Sequence, residues 1–134
     1  MYSNEVLERF KSPKYAGGLR GANGTGKAGN KDCGDLVKLY ILVNEDGIIT
    51  SAKFKAYGGV STIVACDEAC EMLIDMTLEE ALSITSNDIM EHLEDGVPDS
   101  KSYSAVIAEE AITNAVEDYY KKKEKEEKKQ SNLI

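Results

Sequence analysis

The chain is short of histidine, of cysteine and of long apolar runs, and each shortage excludes a class of protein. It has one histidine, His92, on a charged stretch far in sequence from any cysteine, so neither a Ser-His-Asp nor a Cys-His arrangement has support. His92 therefore reads as a surface residue. No apolar run approaches the roughly 18 residues of a membrane span, and the N-terminus lacks the basic-then-apolar layout of a signal peptide. A cytoplasmic protein with no membrane partner is the expectation. Three cysteines, an odd number, argue for reduced thiols or metal ligands over a disulfide framework.

Positive charge is also scarce. The net charge is −8, and residues 121–129 carry six lysines against three glutamates, which leaves −11 on the remainder. Such a body repels phosphate backbones, so nucleic acid is excluded as a partner and a basic protein surface is the better match. The same acidity also serves solubility.

What is present suffices for one domain: 134 residues with 42% hydrophobic content. A short helix from Tyr2 stops at Pro13, and a glycine-rich segment from Gly17 to Gly29 follows. Leu36 to Val43 and Ile48 to Tyr57 have strand periodicity around the turn Asn44-Glu45-Asp46-Gly47, which predicts a hairpin. In the second strand Ile48, Ala52, Phe54 and Ala56 share a face; the first strand is apolar on both faces, so its inward side stays open. Ser61 or Thr62 can cap a helix to about Asp75, and Thr77 to Glu80 has capping-box spacing. A further short helix spans about Asp88 to Leu93, and the last begins near Ser102 to Ser104 and dissolves into a charged tail. The fold class is α+β, a small antiparallel sheet packed against several helices, with a domain over 1–120 and a mobile tail over 121–134. The glycines from Gly21 to Lys27 do not make a phosphate loop, because no strand clearly precedes them and no Ser or Thr follows Lys27.

Cys33-Gly34-Asp35 sets a soft thiolate and a hard carboxylate two residues apart, a pair able to close on one metal ion. Cys66 and Cys70 stand at i and i+4, so their sulfurs share a helix face and could clamp a soft metal with Cys33 and Asp35; Asp67 and Glu68 are further oxygen donors. The same two cysteines lie on an apolar stripe with Ile63 and Leu73, where free cysteine behaves as a small hydrophobe. Both readings stay open at this point.

Cys33-Gly34-Asp35 combines with Asp46-Gly47-Ile48-Ile49, Ala52-Lys53-Phe54-Lys55, Tyr57-Gly58 and the Ala108-Glu109-Glu110-Ala111-Ile112 core of Ser104 to Tyr119. With these motifs the chain, from Tyr2 to about Tyr120, resembles the U-type iron–sulfur cluster assembly scaffolds, the IscU family and the N-terminal domain of NifU. The resemblance implies a non-enzymatic scaffold or carrier that holds iron, an iron–sulfur cluster or zinc at Cys33 and Asp35. It also implies a cysteine desulfurase as partner. The departures are specific: where the family pattern has a second cysteine, a third cysteine and often a histidine, this chain has Gly59, Ser104 and Tyr103. Missing ligands would then come from Cys66 and Cys70 or from a second protomer in a homo-oligomer. The alternative is an adaptor or sulfur acceptor that docks the desulfurase without assembling a cluster. The segment Val97-Pro98-Asp99-Ser100-Lys101 replaces the family's Leu-Pro-Pro-Val-Lys, so dependence on the dedicated chaperone is not implied.

Overall fold

The structure is a computed structural model that describes residues 2–30, 32, 34–93 and 96–132, with Asn30 described in its backbone alone. Cys33 and Lys31 lie outside the described residues. The element order is α1 (Asn4–Lys11), β1 (Gly24–Asn30), β2 (Asp35–Val43), β3 (Ile49–Tyr57), α2 (Val60–Leu73), α3 (Leu78–Leu82), α4 (Ser86–His92) and α5 (Tyr103–Ser131), with a 3-10 turn at Asp99–Lys101 before α5. The three strands form one antiparallel sheet in the order β1-β2-β3, with α5 laid over β1 and β2 and α2 over β3. This is the expected α+β architecture, and the hairpin lies where strand periodicity puts it.

The open parity of β2 resolves in favour of the odd residues: Val37, Leu39, Ile41 and Val43 face the helices and are buried. On β3 the inward residues are Ala52 and Phe54, but Ile49 takes the buried place expected of Ile48. A bulge between Leu42 and Val43 shifts the register there, and a one-residue shift turns the side chain over. The turn is held by the Asn44 side-chain oxygen, which accepts from the Asp46 and Ile48 amides at 3.0 and 2.9 Å, while Gly47 takes φ 78°.

The strand β1 is absent from the sequence expectation, because glycine is a poor strand former. Its glycines answer to the helix above. A Cβ on Gly26 would lie 2.2 Å from the Ala111 carbonyl oxygen of α5, and one on Gly24 2.7 Å from that of Ala115. Bare glycines let the α5 backbone rest on the strand. The outer edge of β1 is then covered by α5 side chains: Asp118 accepts from the Thr25 amide at 2.8 Å and Asn114 donates to the Lys27 carbonyl at 2.7 Å.

The helix α2 is buried on nearly every side, between the sheet, α1, α4 and α5, which explains its weak amphipathic pattern. Capping boxes open α3 at Thr77/Glu80 and α4 at Thr85/Asp88. The second box starts α4 at Ser86, two residues before the expected Asp88. The helix α5 does not dissolve at the charged tail; it continues to Ser131 with the side chains beyond Tyr120 exposed.

Candidate functional site

Asp35 is the first residue of β2 and points inward, 8% exposed, at one end of the sheet. Gly34 before it takes φ +86°, a left-handed turn that glycine adopts without strain. Gly58 leaves the carboxylate its space, since a Cβ there would lie 2.5 Å from Asp35 Oδ1. Across the cleft the first turns of α2 and α5 meet it. Thr62 Oγ1 donates to Asp35 Oδ1 at 2.5 Å, Thr62 and Ser104 hydroxyls stand 3.2 Å apart, and those of Ser61 and Ser104 2.8 Å apart. All three hydroxyl residues are 3% exposed or less. A shallow open depression of about 440 Å³, lined by Gly34, Ala56, Tyr57 and Gly58, lies beside the carboxylate.

Ser61 and Thr62 thus do not cap α2. Gly59 is its N-cap, without a side-chain bond, and both hydroxyls turn into the protein. Gly59 itself is exposed, with open space where a side chain would stand. Of the positions at which the resemblance expects thiolates or imidazole, Ser104 lies within the hydroxyl chain and Tyr103 is 44% exposed.

Cys66 and Cys70 are completely buried inside α2. Burial pushes the Cys66 thiol far above its ordinary range, with the negative charges of Asp67 and Asp35 adding to the effect. Cys70 is likewise raised by burial, then by Cys66 and Asp67, with Arg9 opposing. Both shifts work against the thiolate, the form in which sulfur binds a metal. Asp67 and Glu68 are engaged elsewhere: Arg9 of α1 donates to Asp67 at 2.6 Å and also bonds Glu68, while the Tyr15 amide donates to Asp67 at 2.8 Å. Burial pushes the Glu68 carboxyl up and Arg9 pulls it part of the way back. His92 is exposed on α4, its ring Nδ1 2.8 Å from the Asp88 carbonyl.

Among the described residues, no group of three His, Cys, Asp or Glu side chains is placed to hold a metal ion. The site residues that sequence reasoning missed are Thr62 and Ser61 in this role, Ser104 as a hydroxyl partner, and Arg9 as the counter-ion of two buried carboxylates. Their signal is a convergence of residues 27 to 59 positions apart, which no local pattern carries.

Residues 1–126 match the family model described as the NifU-like N terminal domain. The chain is 42% identical over 125 residues to the iron–sulfur cluster assembly scaffold protein IscU of Azotobacter vinelandii, covering 91% of this chain and 96% of that one. It is 38% identical over 128 residues to IscU 1 of Archaeoglobus fulgidus, covering 96% and 82%. Among solved structures, the N-terminal part of a NifU-like protein from Brucella abortus superposes with a TM-score of 0.70 at 15% identity, over 89% of this chain and 94% of that one, a likeness of fold.

Proposed function

The chain belongs to the NifU-like N-terminal domain family, and from that membership we propose that it serves iron–sulfur cluster assembly as a scaffold or carrier, not as an enzyme. The observation that supports this reading is the match over residues 1–126, which takes in Asp35 and the three elements around it. The cargo is iron or an iron–sulfur cluster. Cys33 supplies a thiolate to it and Asp35 a carboxylate oxygen, a mixed pair that also suits zinc. Cys66 and Cys70 are assigned to the core on the strength of their burial. Further ligands for a cluster would come from outside the protomer, from a second copy or from a partner.

The sulfur source is a cysteine desulfurase in the cytoplasm. The Cys33 thiolate attacks the outer sulfur of the donor's cysteine persulfide; a new S–S bond forms on Cys33, the donor S–S bond breaks, and the donor leaves as a thiolate. A second reading, a sulfur acceptor that assembles no cluster, is favoured by Gly59 and Ser104 standing where the family pattern has its other two cysteines and by the enclosure of Ser104 in hydrogen bonds.

Anaerobic loading with ferrous iron, with and without a cysteine desulfurase and cysteine, separates the two. A scaffold binds iron and acid-labile sulfide in the wild type and loses them in Cys33→Ala and Asp35→Ala. A sulfur acceptor gains a persulfide that mass spectrometry localises to Cys33, with no iron retained. Persulfide on Cys66 or Cys70 with Cys33 unmodified would overturn both.

A further inference from the structure

We propose that Thr62 is the positioning residue for Asp35, as the last member of a one-way hydroxyl relay that runs from Ser61 through Ser104 and Thr62 to the carboxylate. The inference rests on the reading above that Asp35 meets the cargo metal, and it adds how this chain holds that ligand.

The direction follows from counting protons. A carboxylate only accepts hydrogen bonds, and each hydroxyl has one proton to give. Thr62 directs its proton to Asp35 Oδ1 across 2.5 Å. Its oxygen must then accept from Ser104 across 3.2 Å, which commits the Ser104 proton. Ser104 must in turn accept from Ser61 across 2.8 Å. Every member is thereby satisfied, and among the described residues no buried side-chain polar atom lacks a partner. Reversing any link would leave two protons facing each other or a buried oxygen without a donor, at a cost that burial makes high.

The relay acts on geometry. Oδ1 sits in a slot between Thr62 and the bare Cα of Gly58, where an added Cβ would come within 2.5 Å of Oδ1 and 3.0 Å of the Thr62 Cβ. Among the described residues, Asp35 has no other side-chain hydrogen bond than that from Thr62, so one oxygen is fixed and the second is left for a ligand. Because Ser61 and Thr62 lie on the first turn of α2 and Ser104 on that of α5, the orientation of Asp35 is tied to both helices. Metal ligands held by such outer partners bind more tightly than ligands left to rotate.

The test uses anaerobic cobalt(II) titration of the full chain and its variants Thr62→Val, which keeps the volume, and Thr62→Ser, which keeps the hydroxyl. Thr62→Val is expected to weaken cobalt binding by about 10–100-fold and to shift the visible ligand-field bands, while Thr62→Ser restores both. Proton NMR of the metal-free protein reads the relay by itself. The wild type should show exchange-protected hydroxyl protons on Thr62 and Ser104; Thr62→Val should release the Ser104 proton, whereas Ser61→Ala, upstream, should leave the Thr62 proton protected. Wild-type cobalt affinity in Thr62→Val, or failure of Thr62→Ser to rescue, overturns the positioning role while the cargo reading stands. Wild-type protein that binds no cobalt, with its hydroxyl protons protected, overturns the cargo reading and the positioning role with it.

Discussion

Inside α2, two cysteines one turn apart have the spacing of a metal clamp and the surroundings of a core. The surroundings favour the core, because both side chains are fully buried and desolvation raises both thiols above their ordinary range. Replacing both Cys66 and Cys70 with alanine should therefore lower stability by about 1–3 kcal/mol through lost packing and leave the iron content unchanged. The valine pair, which refills the space, should recover most of that loss. Loss of iron in the valine pair, with native circular dichroism, would restore the two sulfurs as ligands. Arg9 of α1 gives a sharper case, because its partners lie on the same α2. It is the counter-ion of Asp67 and Glu68, which are 1% and 4% exposed. Arg9→Met leaves two buried carboxylates unpaired, and urea unfolding should register a loss of about 3–5 kcal/mol. A loss below about 1 kcal/mol, the range of exposed pairs, would mean that water reaches the carboxylates. Nothing in the sequence around Arg9 points to this pairing, since the partners lie 58 and 59 residues away.

Elements were legible to the degree that their causes are local. Thr77 and Glu80 announce α3 because a capping box is written in four consecutive residues, and the turn at Asn44 to Gly47 announces the hairpin in the same way. The strand β1 fails this criterion: its glycines are required by α5, whose Ala111 and Ala115 are more than 80 residues away in the chain. Gly26→Ala should accordingly cost about 1–3 kcal/mol or more from overpacking, while Gly59→Ala, where the Cβ meets nothing within 4 Å and only the N-cap preference of α2 is lost, should cost no more than about 1 kcal/mol by thermal melting. The capping boxes also set a pH dependence. Bonds from the backbone amides and hydroxyls of Thr77 and Thr85 hold the Glu80 and Asp88 carboxyls below their ordinary values of 4.5 and 3.8. A depressed carboxyl contributes stability above its unfolded value and loses it as pH falls through the folded one. Acid titration followed by NMR should thus show α3 and α4 fraying below about pH 4, and Glu80→Gln should remove that dependence from α3. Fraying of α3 at the same pH in Glu80→Gln would assign the effect to another group.

At the scale of the whole molecule, the site is a meeting of three element ends, and its legibility divides along that line. Asp35 was visible beside Cys33 because the two are neighbours in sequence, whereas Thr62 lies 27 residues from Asp35 and Ser104 a further 42 from Thr62. The opposite case is α5, whose charged composition predicts exposure beyond Tyr120 but does not by itself announce continued helix. Lysine and glutamate are good helix formers, and pairs such as Lys128 with Glu124 need no core to support them. Tyr119 is the last buried residue among those described, 8% exposed, and Tyr120 is already 46% exposed. From there the helix projects about 16 Å at about 1.5 Å per residue. Removal of residues 121–134 should therefore reduce helical ellipticity while changing unfolding free energy by no more than about 0.5 kcal/mol, the usual scale for exposed positions. Near the body, the truncation takes away the Lys122–Asp118 ion pair, which spans 2.8 Å and is partly exposed. Asp118 would still accept from the Thr25 amide, so the edge of β1 stays covered. The iron binding proposed above should be unaffected, since no residue of the relay or its slot lies beyond Ser104. A truncated chain that unfolds several degrees earlier would show that α5 steadies the sheet along its whole length, and the boundary that the sequence leads one to expect at 120 would belong nearer Ser131.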